Sequence, residues 1–245
     1  MITTAAAALL AACGAPGLPE DDPGRSTAAA PTQAPAIAAA VAAGPDLASC
    51  PKREPVDEGV RQRTDAIAVP AALRELVRAD VENIAILTLE GATVCVDASW
   101  MDSIDHLALS ADKRFVSFDW VGYEAFGHVI VDRSGKGSTV DTGVPPVASP
   151  SGALLAAADL SESSYGALSA FAVWRIEPAG LRLIGKQDVS PPAVDWRIER
   201  WVGETCIDLS GVPIDSESDA EPPRERFRAL EGSGWRIESG RCPAQ

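Results

Sequence analysis

His106 and His128 are the only histidines in a chain of 245 residues, so any imidazole-based chemistry near neutral pH rests on these two. His106 follows Asp105, which invites comparison with an acid–histidine–serine arrangement. In such an arrangement a carboxylate bonds one ring nitrogen while the other ring nitrogen meets a hydroxyl. Adjacent residues of a strand point to opposite faces, so Asp105 is not expected to orient His106, and both histidines read as hydrogen-bonded strand residues. No Gly-x-Ser-x-Gly nucleophile elbow is present. Gly135-Lys136-Gly137-Ser138-Thr139 lacks the leading glycine and spacing of a phosphate-cradling loop and reads as a turn. No catalytic residue and no cofactor is assigned.

Charged residues come next. Asp215, Glu217, Asp219 and Glu221 alternate, a spacing that offers oxygen ligands at every second position. A calcium loop of the EF-hand type also needs glycine at its sixth position, where Ala220 stands, so the segment reads as a solvated acidic loop and no metal is expected. Arg224, Arg226 and Arg228 alternate and would share one face of an extended chain. They are expected to form a charged edge strand paired with the acidic loop, the alternative being an anion or partner patch. Most of the six tryptophans read as core packing. Tyr123 and Tyr165 fall in expected loops and are the candidate partner contacts, since exposed aromatics mark binding surfaces.

Four of the five cysteines, Cys50, Cys95, Cys206 and Cys242, lie in the later part of the chain. None are in Cys-x-x-Cys spacing and no histidine is near them in sequence, which disfavours zinc. Their even number suits an oxidising compartment and two disulfides, of which three connectivities exist. Cys50–Cys95 with Cys206–Cys242 is favoured because each bond would tie a terminal segment of the folded part onto a strand.

The fifth, Cys13, ends an alanine–leucine run. Residues 5–12 supply a short apolar stretch with small residues at its end, as in a secretory signal, although Met1-Ile2-Thr3-Thr4 lacks the usual basic start. Leu10-Ala11-Ala12-Cys13 resembles the lipobox of bacterial lipoproteins. That resemblance implies cleavage before Cys13, lipidation of its sulfur and acylation of the new amino terminus, and two or more acyl chains anchor stably. Gly14 rather than Asp follows Cys13. With a Gram-negative cell assumed, this implies the outer membrane, facing the periplasm. Residues 13–49 are rich in alanine and proline and have no aromatic residue, a composition expected to stay disordered. As a tether, residues 14–49 reach on the order of 100 Å when fully extended.

From residue 50 onward the pattern is mostly strands. Residues 84–89 and 93–97 flank Glu90-Gly91-Ala92, a hairpin signal, and residues 170–176 and 181–184 flank a second turn containing Pro178 and Gly180. Further strands are expected at 115–120, 127–132, 197–202, 205–209, 226–230 and 235–238, with a helical turn or two over 71–77 after Pro70. A loose repeat relates Ser110-Ala111-Asp112-Lys113-Arg114-Phe115-Val116-Ser117 to Ser149-Pro150-Ser151-Gly152-Ala153-Leu154-Leu155-Ala156. Periods of about 40–45 residues with four strands each suggest propeller blades. The second stretch resembles the Ser-Pro-Asp-Gly turn and following strand of the WD-like β-propeller repeats of bacterial periplasmic proteins, with Ser151 in place of the Asp. The first copy has Asp112-Lys113 where that turn has glycine. The length after the tether allows four blades at most.

The expected organisation is therefore a signal peptide (1–12), a lipidated tether (13–49) and a β-rich periplasmic domain (50–245). The domain is expected to be a small or incomplete β-propeller, with a β-sandwich as the alternative. Mean hydropathy is +0.04 and no apolar run is long enough to cross a bilayer as a helix. A net charge of -14 disfavours nucleic acid, which requires clustered Lys and Arg. The functional expectation is a non-catalytic binding or scaffolding module with an envelope protein partner. The alternatives are a hydrolase without a recognisable motif and an acidic inhibitor of a basic target.

Overall fold

The computed structural model describes residues 44–52, 63–123, 125–159, 168, 170–187, 193–214 and 223–244. Cys13, Tyr165, the tether up to residue 43 and the acidic loop at 215–221 lie outside the described residues, while residues 44–49, expected as the end of the tether, belong to the folded part. The fold is mostly β, with four antiparallel sheets that follow one another along the chain. The first comprises β1 (Val77–Ala79), β2 (Asn83–Leu87) and β3 (Thr93–Asp97). The second is β4 (Ser103–Leu109), β5 (Phe115–Gly122), β6 (Ala125–Asp132) and β7 (Ser138–Asp141). The third is β8 (Val147–Ala148), β9 (Leu154–Ala158), β10 (Phe171–Glu177) and β11 (Gly180–Lys186). The fourth is β12 (Ala193–Val202), β13 (Cys206–Pro213), β14 (Glu225–Leu230) and β15 (Ile237–Ser239). Every sheet is a meander in which sequence neighbours pair.

Period-2 alternation sends one set of side chains from each sheet into a core. Ile84, Ile86 and Val96 of the first sheet meet Val116, Phe118 and Val131 of the second. Ile130 of the second meets Leu155, Ala157, Ala172 and Trp174 of the third. Ala156, Phe171 and Val173 of the third meet Trp196, Ile207, Leu209 and Phe227 of the fourth. Sheet three thus buries both faces, and sheet two one face and part of the other, which is why β9 reads as an unbroken apolar run, Leu154-Leu155-Ala156-Ala157-Ala158. Among the described residues no such cluster joins the fourth sheet to the first. The array is open, as in a small or incomplete propeller, and two facing sheets of it also fit a sandwich.

The outer faces of the end sheets are covered instead by terminal segments. A 3-10 turn at Leu47–Ser49 lies against β2 and β3. There Cys50 bonds Cys95, the Asp46 N–H donates to Thr93 Oγ1 and Asn83 Nδ2 donates to the Pro51 carbonyl. At the other end Cys242 bonds Cys206 of β13, and its N–H donates to Asp208 Oδ1 at 2.7 Å. These are the two disulfides favoured on sequence.

The repeated octapeptides occupy equivalent places, the turns β4–β5 and β8–β9. In each, a serine hydroxyl accepts from the first strand residue: Ser110 Oγ from Phe115 N at 2.9 Å and Ser149 Oγ from Leu154 N at 3.2 Å. Each turn also has one left-handed residue, Lys113 (φ +61°) and Gly152 (φ +73°). Two expectations are corrected. Only Ala71–Leu73 coils, as a single 3-10 turn, and Val77 already belongs to β1. It is fully buried against the first sheet's core, and tertiary pairing with Ile86 overrides the local helical preference. Second, β14 is not an edge, because it pairs with both β13 and β15.

Candidate functional site: the open face of the second sheet

The β5–β6 hairpin closes with Gly122 opposite Ala125, and that register sets Asp119 opposite His128 and Val121 opposite Phe126. Paired residues share a face. On the other side β4 places Asp105 opposite Asp119 and Ser103 opposite Val121. The strand then bulges. Between Asp105 and Ala108, which pair with Asp119 and Ser117, two residues of β4 stand against Phe118 alone. His106 sits in this bulge with φ +54°, and a bulge re-aims a side chain. The ring reaches the face that regular alternation would deny it.

Both histidines converge on one carboxylate. His106 Nδ1 donates to Asp119 Oδ2 at 2.7 Å and His128 Nδ1 donates to Asp119 Oδ1 at 2.6 Å. Burial opposes ionisation of Asp119, but the hydrogen bonds from His128 and His106 outweigh it and hold the carboxyl below its ordinary value. An ionised carboxylate only accepts, so each Nδ1–H is the donor and Nε2 of each ring lies outside these two bonds. The two rings differ in surroundings: the His106 side chain is 82% exposed and that of His128 is 10% exposed.

Below this row the third sheet covers Phe115 and Ile130. At the boundary a groove of about 310 Å³ is lined by Leu109, Phe115, Ser117, His128, Pro145 and Pro146 among others. Above the row the hairpin is uncovered among the described residues. Val121 and Phe126 are 47% and 48% exposed, and Tyr123 at the tip is 85% exposed. Trp100, half-exposed, packs edge-on to Trp120 with ring centroids 4.5 Å apart. Trp120 itself lies over Gly127 and donates Nε1–H to Asp141 Oδ2 at 2.9 Å. Burial, together with the neighbouring Asp159 charge, raises Asp141 above the usual carboxylate range against the bonds from Gly143 and Trp120.

Among the described residues no serine, threonine or cysteine side chain bonds either imidazole ring, the Thr142 hydroxyl reaching only the His128 backbone carbonyl, and no three His, Cys, Asp or Glu side chains are disposed to hold a metal ion. The arrangement therefore supplies two oriented imidazoles, an apolar groove and an exposed aromatic hairpin, without a bound nucleophile. Of the residues singled out on sequence, Tyr123 falls at the edge of this face, and His106 and His128 are its centre. Asp119 was overlooked. The signal that finds it is the two-residue turn after Gly122, which alone fixes Asp119 opposite His128. Arg226 and Arg228 share a face of β14 as expected, with Arg224 just before the strand; among the described residues Arg224 pairs with Asp195, Arg226 with Glu199 and Arg228 with Glu238, and the expected pairing with the acidic loop falls outside the described residues.

The class these features define is a disulfide-stapled, open array of four β-meanders with one partly uncovered sheet face. No family model, curated protein or solved structure matches the chain.

Proposed function

We propose that this protein is a non-catalytic binding module of the bacterial cell envelope, held by a lipid on Cys13 at the periplasmic face of the outer membrane. Its partner is an envelope protein that docks on the open face of the second sheet. The observation that carries the reading is the uncovered β5–β6 hairpin, where Val121, Tyr123 and Phe126 project from a sheet whose other half is packed. A rigid β scaffold that presents an apolar hairpin loses little entropy when a partner covers it. The two disulfides accord with an oxidising compartment. The lipobox-like residues and the alanine–proline stretch support the anchor and the tether.

The test is photo-cross-linking in cells with a photoreactive amino acid at position 123, in the full chain and in Cys13→Ser. One dominant adduct that Phe126→Ser abolishes and Cys13→Ser reduces supports the reading. Cross-linking no stronger than from an exposed position on β11 counts against it. Incorporation of labelled palmitate that persists in Cys13→Ser removes the anchor from the proposal.

The shared carboxylate favours one second reading, a hydrolytic site in which His128 acts as general base on a ligand in the adjoining groove. It requires that His128→Ala abolish an ester- or amide-cleaving activity of the purified domain. A substrate screen in which the parent and His128→Ala are equally silent removes it.

A further inference from the structure

The outer face of the fourth sheet is unlike the rest of this acidic protein. While Leu209, Phe227 and Ala229 face the core, the opposite side presents Arg200, Asp208 and Arg226, and the disulfide-held segment at 240–244 crosses beside them. A cleft of about 290 Å³ opens there, lined by Glu199, Arg200, Asp208, Arg226, Phe227 and Arg241. We propose that it binds a small molecule through a single carboxylate group.

Donors outnumber acceptors in this cleft. Both carboxylates are already engaged. Asp208 accepts Arg200 Nε at 2.9 Å on Oδ2 and the Cys242 N–H on Oδ1. Glu199 accepts Ser210 Oγ on Oε1 and Arg226 Nη1, at 3.2 Å, on Oε2. A guanidinium carries five N–H groups. Among the described residues Arg200 uses only Nε here and Arg226 only Nη1. Among the described residues the Arg241 side chain forms no hydrogen bond or ion pair, although its charge helps to lower Asp208. Adjacent to the cleft, Arg228 donates Nη1 to the Arg241 carbonyl at 3.3 Å, and its buried Nε meets no acceptor. Three guanidinium groups against two carboxylates leave one positive charge, which matches a monoanion. The planar fork of arginine fits a carboxylate in bidentate fashion.

The Cys206–Cys242 bond sets the position of one wall, because Arg241 immediately precedes Cys242. Opening that bond frees Arg241 from the sheet, so the cleft depends on the disulfide. This site lies on a different sheet from the hairpin face and stands or falls independently of it.

The probe is benzoate, titrated into the full chain and read from arginine Nε–H resonances, with sodium chloride at matched ionic strength as reference. The expected result is saturable shifts at Arg200, Arg226 and Arg241. Arg241→Gln, a change at an exposed position near the chain end, raises the dissociation constant about tenfold, the loss of one charge-assisted hydrogen bond. Cys242→Ser has an effect of the same size. Shifts that chloride reproduces, or an Arg241→Gln chain that binds benzoate as tightly as the parent, overturn the proposal. So does saturable binding of inorganic phosphate with benzoate silent, which assigns the cleft to a doubly charged phosphoryl group.

Discussion

Asp119 joins two imidazoles of opposite exposure, and the energetic consequences differ accordingly. A hydrogen bond to a charged group contributes roughly 1.5–3 kcal/mol where it is shielded from water, and near zero to 1 where it is exposed. Asp119→Ala is therefore expected to lower stability by about 2 kcal/mol in urea melts, most of it through the orphaned His128 ring. His106→Ala should stay within about 0.5 kcal/mol. Equal losses from the two changes would contradict the assignment. Acid stability follows from the same residues. Burial raises and hydrogen bonds lower Asp119, Asp132 and Asp208, and the bonds win in all three. A carboxylate depressed in the folded state stabilises fully above its unfolded value, about 3.9, and that stabilisation is lost as pH falls through the folded value. Asp141, raised in the fold, acts in the opposite sense: its contribution is complete in acid and lost as pH rises through its folded value. Hydrogen bonds also lower Asp112, Glu199 and Glu204, so with six lowered groups against one raised, stability should decline below about pH 4. Urea midpoints equal at pH 3 and pH 7 would show that the carboxylates do not govern it.

Within the elements, the repeated turns and the glycine–tryptophan contacts are the points most sensitive to substitution. Lys113 and Gly152 occupy the same left-handed position of two equivalent turns, and a left-handed L-residue costs roughly 1–2 kcal/mol. Lys113→Gly is expected to stabilise by about 0.5 kcal/mol after the added freedom of the unfolded chain is subtracted. Gly152→Ala should destabilise by about 1 kcal/mol, although no atom lies within 4 Å of the added methyl. The signs, read from thermal or urea melts, test whether the two turns are one motif. Gly127 is different, for there space rather than backbone angle excludes a side chain: a Cβ would stand 2.5 Å from Trp120 Nε1. Gly127→Ala should cost about 3 kcal/mol and red-shift or quench tryptophan fluorescence as Trp120 leaves Asp141.

For the whole molecule, the open ends of the array are its weak points. A stack of sheets must cover or solvate its terminal faces. Here a segment at 44–52 covers one face, and a salt-bridged face with a segment at 240–244 finishes the other. The disulfides close loops with sequence separations of 45 and 36, and each should stabilise by roughly 4 kcal/mol in the chain-entropy model. Replacing Cys50 and Cys95 by serine, or Cys206 and Cys242, is expected to lower stability by about 2–5 kcal/mol. Hydrogen exchange should accelerate first in the sheet whose cap was released. Uniform loss of protection over all four sheets would mean that the array unfolds as one unit with no separable ends.

Most of the strands, their hairpins and the repeated turn were legible in the sequence, because alternation and turn residues are local signals; the short β7 and β8 were not, and the cysteine pairing was one of three that the sequence left open, because bonds across 45 and 36 residues are chosen by tertiary packing. The face of β14 was legible for the same reason. Its place inside the fourth sheet was not, since pairing with β15 is decided by packing of Phe227 and Ala229 into the core. Nor was the helical turn at 71–77 resolved locally, because Val77 is claimed by Ile86. The convergence of His106 and His128 on Asp119 belongs wholly to the tertiary structure. Alternation alone sends His106 to the wrong face, and only the bulge in β4, imposed by pairing with β5, brings both rings to one carboxylate.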